Sequence, residues 1–136
     1  MSARVTATLG FAAAVGLVVA AVGQSTPPTA AAPGRVTISI IQRVPTKPPT
    51  WGFVPASITI PPGTIVTWRN VKGNSEFHTS TSYEDVWNSP VLNPGESWSL
   101  TFTKLGRFRY HCTPHPWMTG VITVAAGAPL PPPGPK

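Results

Sequence analysis

From Arg35 onward, apolar side chains recur at every second position in short runs separated by proline and glycine. Val36, Ile38 and Ile40 alternate with Thr37, Ser39 and Ile41; Ile58 and Ile60 alternate with Ser57 and Thr59; Trp98, Leu100 and Phe102 alternate with Ser97, Ser99, Thr101 and Thr103. A period of two puts every second side chain on one face of a strand, whereas a helix repeats every 3.6 residues. Phe108, Tyr110 and Cys112 likewise share a face opposite Arg107, Arg109 and His111, and further strands are expected at 65–70, near 77–81 and at 120–125. The breaks are turn chemistry: Pro61-Pro62-Gly63, Lys72-Gly73-Asn74, Asn93-Pro94-Gly95 and Lys104-Leu105-Gly106. No segment carries a capped helical stripe. About seven short strands at this spacing predict an all-β sandwich or barrel.

The 136 residues fit one domain with appendages. Arg4 followed by an apolar, charge-free stretch and the small-residue site Ala21-Val22-Gly23 reads as a signal peptide over 1–23. Residues 24–34 read as a flexible leader, 35–126 as the folded domain and 127–136 as a Pro-rich flexible tail. An exported protein is therefore expected, in the periplasm or cell envelope or secreted. Membrane attachment is expected only if the apolar segment stays uncleaved. Without Arg4, the ten Lys and Arg fall to nine against four Asp and Glu. No basic cluster or helix accompanies this mild excess, so nucleic acid is not an expected partner. The charge favours acidic protein surfaces and salt-sensitive association.

The chemistry concentrates in Cys112-Thr113-Pro114-His115-Pro116-Trp117-Met118, where thiolate, imidazole and thioether fall at three-residue intervals around the only cysteine. A single cysteine cannot form an internal disulfide, so an intermolecular bridge, a reactive thiol and a ligand are the open roles. The neighbouring His115 and Met118 favour the ligand. His78 is the second candidate imidazole, and two His, one Cys and a weakly held Met are the donor set of a blue-copper site. Pro114 and Pro116 each fix their own φ and stiffen what is expected to be a ligand loop. His111, next to Cys112 on a strand, should face away from the sulfur towards solvent. Zinc is the competing metal, although Met is an unusual zinc ligand. Three histidines are too few for a second copper centre, and no carboxylate pair, nucleophile–base grouping or phosphate-binding loop stands out. A carrier is expected here, not an enzyme.

Residues 110–120, Tyr-His-Cys-Thr-Pro-His-Pro-Trp-Met-Thr-Gly, closely resemble the ligand loop of the amicyanin branch of the plastocyanin-like cupredoxins. Residues 53–70 resemble the family's strand, Pro/Gly turn and strand that precede the first ligand histidine. The resemblance implies a Greek-key β-sandwich with one type 1 copper near one end. It implies His78, Cys112 and His115 as strong equatorial ligands and Met118 as the weak axial one. It also implies that His115 reaches an apolar patch to which Pro114, Pro116 and Trp117 contribute. One departure stands out: many members have Asn after the first histidine, and this chain has Thr79. Its N–H is expected to reach the sulfur and its hydroxyl the cysteine loop.

Taken together, these readings describe an exported monomer that passes one electron between transient protein partners by cycling Cu(II)/Cu(I). A copper chaperone or scavenger using the same ligands, and a non-redox interaction module, are the alternatives.

Overall fold

A computed structural model describes residues 32–44, 47 and 50–133. The expected signal peptide, residues 24–31 of the leader and the last three residues of the tail lie outside the described residues. Eight strands follow: β1 (Arg35–Gln42), β2 (Trp51–Val54), β3 (Ser57–Ile60), β4 (Thr64–Asn70), β5 (Thr81–Ser82), β6 (Ser97–Phe102), β7 (Gly106–Cys112) and β8 (His115–Val124). They form two four-stranded sheets, ordered β2-β1-β4-β6 and β3-β8-β7-β5. Each is mixed, with β1 parallel to β4 and β3 parallel to β8. The all-β sandwich expected from the period of two is what the chain forms.

The alternation works as the sequence demands. Ile38, Ile40, Ile60, Val66 and Ile122 are completely buried, and each such side chain contributes roughly 1.5–3 kcal/mol on leaving water. Trp68 lies at the centre of an aromatic cluster, stacked on Trp98 at 5.5 Å and edge-on to Tyr110 at 5.6 Å. Trp87, in the connection between β5 and β6, also packs against Trp68 and Phe102 and is buried. Gly63 (φ 88°) and Gly95 (φ 93°) take left-handed conformations at two of the marked turns, where any side chain would be strained.

Two local features differ from the sequence reading. The segment near 77–81 yields the isolated bridges His78↔Leu92 and Thr81↔Asn88 and the two-residue β5. Scattered backbone bonds to the 87–92 segment and side-chain bonds such as Ser80 N–H to Ser89 Oγ, rather than a continuous ladder, hold it. The expected ligand loop is a tight hairpin: Thr113 and Pro114 form its turn, Cys112 pairs with His115, and β8 carries His115 and Met118. Beyond β8, the Leu130 side chain fills the space beside Gly34. Pro131, Pro132 and Pro133 line a groove with Val54, Pro55 and residues 57–59.

Candidate metal centre

Three segments converge at one end of the sandwich. Cys112 ends β7 on the inward face shared with Tyr110, and both are completely buried. The two-residue turn brings His115 back beside it, and a register shift between His111 and Cys112 accommodates the tight hairpin. His78 arrives from 34 positions upstream. Its backbone is clamped by reciprocal bonds with Leu92, His78 N–H to Leu92 O at 3.0 Å and Leu92 N–H to His78 O at 2.8 Å.

The donor atoms make a compact triangle. His78 Nδ1 lies 3.2 Å from His115 Nδ1 and 3.6 Å from Cys112 Sγ, and Cys112 Sγ lies 3.5 Å from His115 Nδ1. The point equidistant from all three is about 2.0 Å from each, the length of a metal–imidazole bond. No other group of three His, Cys, Asp or Glu with this proximity occurs among the described residues. One thiolate and two imidazoles suit copper, whose blue sites use a His₂Cys plane. Met118 is 1% exposed and lies three residues beyond His115 on β8.

Burial sets the electrostatics. His78 is completely buried, and desolvation, reinforced by the nearby His115, lowers its pKa to about 4. Desolvation lowers His115 too, while the Glu76 carboxylate pulls the other way. Both imidazoles are thus held neutral near pH 7, the form that binds metal. Burial raises the Cys112 thiol, partly offset by hydrogen bonds from Thr79. A cation at the centre of the triangle would reverse that rise, because a coordinating thiol is deprotonated outright.

Thr79 makes both expected contacts. Its N–H donates to Cys112 Sγ at 3.2 Å, and its hydroxyl accepts from the Thr113 N–H at 2.8 Å. His111 is not in the donor triangle, but it is less open to solvent than expected. It is half-buried, stacks on Tyr83 at 4.4 Å, and its Nδ1 is buried without a hydrogen-bond partner among the described residues.

Several supporting residues escaped the sequence reading. Trp51 of β2 meets both imidazoles edge-on, at 5.9 Å from His78 and 5.1 Å from His115. Buried amides tether the segment leading to His78. Asn70 Nδ2 donates to Glu76 O and Leu92 O, and Asn74 Nδ2 donates to Ile40 O and Asn70 Oδ1. Asn74 reads from sequence only as a turn residue. Gln42, at the end of β1, has its side-chain amide 3.2 Å from His78 Nε2. No sequence signal marked Trp51, Asn70 or Gln42, since each acts across strands.

Comparison with known proteins gives a consistent answer. A sequence model of the copper binding proteins of the plastocyanin/azurin family matches residues 46–125. Amicyanin from Paracoccus denitrificans is 38% identical over 65 residues, 46% of this chain and 50% of that protein. The chain thus spans about half the length of that relative, and 63% and 57% of two further amicyanins. Plastocyanin from Scenedesmus fuscus is 37% identical over 83 residues, 53% of this chain and 85% of that protein. Among solved structures, a purple cupredoxin from Nitrosopumilus maritimus superimposes with a TM-score of 0.56 at 30% identity, over 66% of this chain and 99% of that one.

Proposed function

This chain belongs to the plastocyanin/azurin family of copper-binding proteins, and we propose that it carries single electrons between protein partners. His78, Cys112 and His115 would hold one copper ion, with the Met118 thioether as a weaker fourth ligand. The observation that carries this reading is the triangle of two imidazole nitrogens and one thiol sulfur, with edges of 3.2–3.6 Å. Copper bound there would supply a one-electron Cu(II)/Cu(I) couple whose potential the weak thioether would tune.

The chain's own part is to hold the donors still and to lead the electron out. Thr79 ties the His78 segment to both the sulfur and the hairpin turn. Trp51 closes one side of the two imidazoles. His115 is half-buried and packs at 5.3 Å against Trp117, which is 46% exposed. That pair is the proposed contact face. Redox encounters bury small areas, and the chain's net positive charge of +6 favours acidic partner surfaces. Signal-directed export, a monomeric state and the division into leader, domain and tail belong to the same proposal, on the sequence grounds given above.

The test is to add Cu(II) to the full chain and record visible absorption and electron paramagnetic resonance. An intense blue or purple thiolate-to-copper band is expected, and Cys112→Ser should abolish it. No copper uptake, or an undiminished band in Cys112→Ser, defeats the reading. Fast electron self-exchange supports a carrier, whereas slow exchange with ready copper hand-off supports copper handling.

A further inference from the structure

Gln42 is 8% exposed, and its side-chain carbonyl accepts from Ser75 twice, from the backbone N–H at 2.7 Å and from Oγ at 3.1 Å. A backbone N–H can only donate, so this contact decides which end of the amide is oxygen. The amide nitrogen therefore faces His78, 3.2 Å from Nε2. An amide NH₂ is only a donor, which makes His78 Nε2 the acceptor and places the ring proton on Nδ1. Nδ1 is the atom that faces His115 and Cys112. A metal at Nδ1 requires the opposite arrangement, with the lone pair on Nδ1 and the proton on Nε2. The Nε2–H would then point at the amide NH₂, donor against donor.

We infer that Gln42 is a positioning residue for His78: its amide, pinned by Ser75, sets the imidazole tautomer and turns over when Nδ1 takes a metal. Only the turnover rests on the copper reading; the tautomer is a property of the chain alone. Turning the amide over presents Oε1 to the Nε2–H and the NH₂ to Ser75. The Ser75 hydroxyl can then accept instead of donate, but the Ser75 N–H loses its acceptor. Gln42 thus opposes metal uptake in a way that a residue with two acceptor atoms does not. A carboxylate would offer one oxygen to the Ser75 N–H and the other to the Nε2–H.

The test is made on the full chain with ¹⁵N-labelled histidine, first stripped of metal. Long-range ¹H–¹⁵N spectra should show the His78 proton on Nδ1 in the wild type and a proton on Nε2 in Gln42→Glu. In a competition assay for Cu(I), Gln42→Glu should bind about 10-fold tighter or more, the scale of outer-shell effects on metal affinity. In the Cu(I)-loaded wild type, the Gln42 NH₂ protons should exchange their contact with the His78 ring for one with Ser75. A proton on Nε2 in the metal-stripped wild type overturns the inference, and so does an unchanged tautomer in the variant. If Gln42→Glu does not fold, Gln42→Met removes the donor, and an unaltered Nδ1–H tautomer there is equally fatal. A chain that takes up no copper sinks the functional reading, while the metal-stripped tautomer still decides the role of Gln42.

Discussion

Thr79 joins the His78 segment to the cysteine hairpin through two bonds of different kinds, a backbone N–H to sulfur and a hydroxyl accepting from Thr113. The substitution Thr79→Val keeps the first and removes the second, leaving the Thr113 N–H without its acceptor. Chemical denaturation should report a loss of about 1–3 kcal/mol, and the copper hyperfine splitting should broaden as the hairpin loosens. His78 supplies a pH dependence. Its folded pKa of about 4 lies below the ordinary 6.5, so between those values the unfolded chain binds the extra proton. In the metal-stripped protein, the stability contributed by His78 is complete above pH 6.5 and lost as pH falls towards 4. His115 shifts in the same direction and adds to the loss. Melting temperatures across pH 4–7.5 should show this slope, and His78→Gln should flatten it.

Among the elements, the hairpin of β7 and β8 does most to shape the site. Tyr110 pairs with Gly120 across it, and a methyl group at 120 would overlap Tyr110 Cζ and Oη. The ring lies over the glycine, two pairs away from the Cys112↔His115 pair of proposed ligands. Gly120→Ala should therefore cost about 1–3 kcal/mol or more through overpacking, read from denaturation midpoints. It should also disturb the copper spectrum, which a remote surface glycine would not. The β1 end and the 71–78 connection form a second such unit. Asn74 accepts from the Gln42 N–H and donates to Ile40 O and Asn70, fixing a connection that has no ladder of its own. The exposed Arg109–Glu84 pair at 3.2 Å contributes little by comparison.

For the whole molecule, the centre links the two sheets. Gln42 and Trp51 come from the β2-β1-β4-β6 sheet, Cys112 and His115 from the β3-β8-β7-β5 sheet, and His78 from the connection between them. Copper that binds only the folded chain should raise its melting temperature, by the equivalent of about 4 kcal/mol when free metal exceeds the dissociation constant 1,000-fold. Removing it with a chelator should lower the melting temperature, and Cys112→Ser should lose most of that difference. By itself the sequence determined the sandwich, because alternation and turn residues are local properties. It also determined Cys112 and His115 as neighbours, because only two residues separate them along the chain. The second imidazole could be named from composition, there being only three histidines, but its place could not. That His78 meets the hairpin, that Trp51 walls both rings and that Gln42 faces His78 Nε2 were decided only by the tertiary structure. Those contacts join residues 27 to 64 positions apart, from different strands and sheets, and pairing between distant strands is not written into any local pattern.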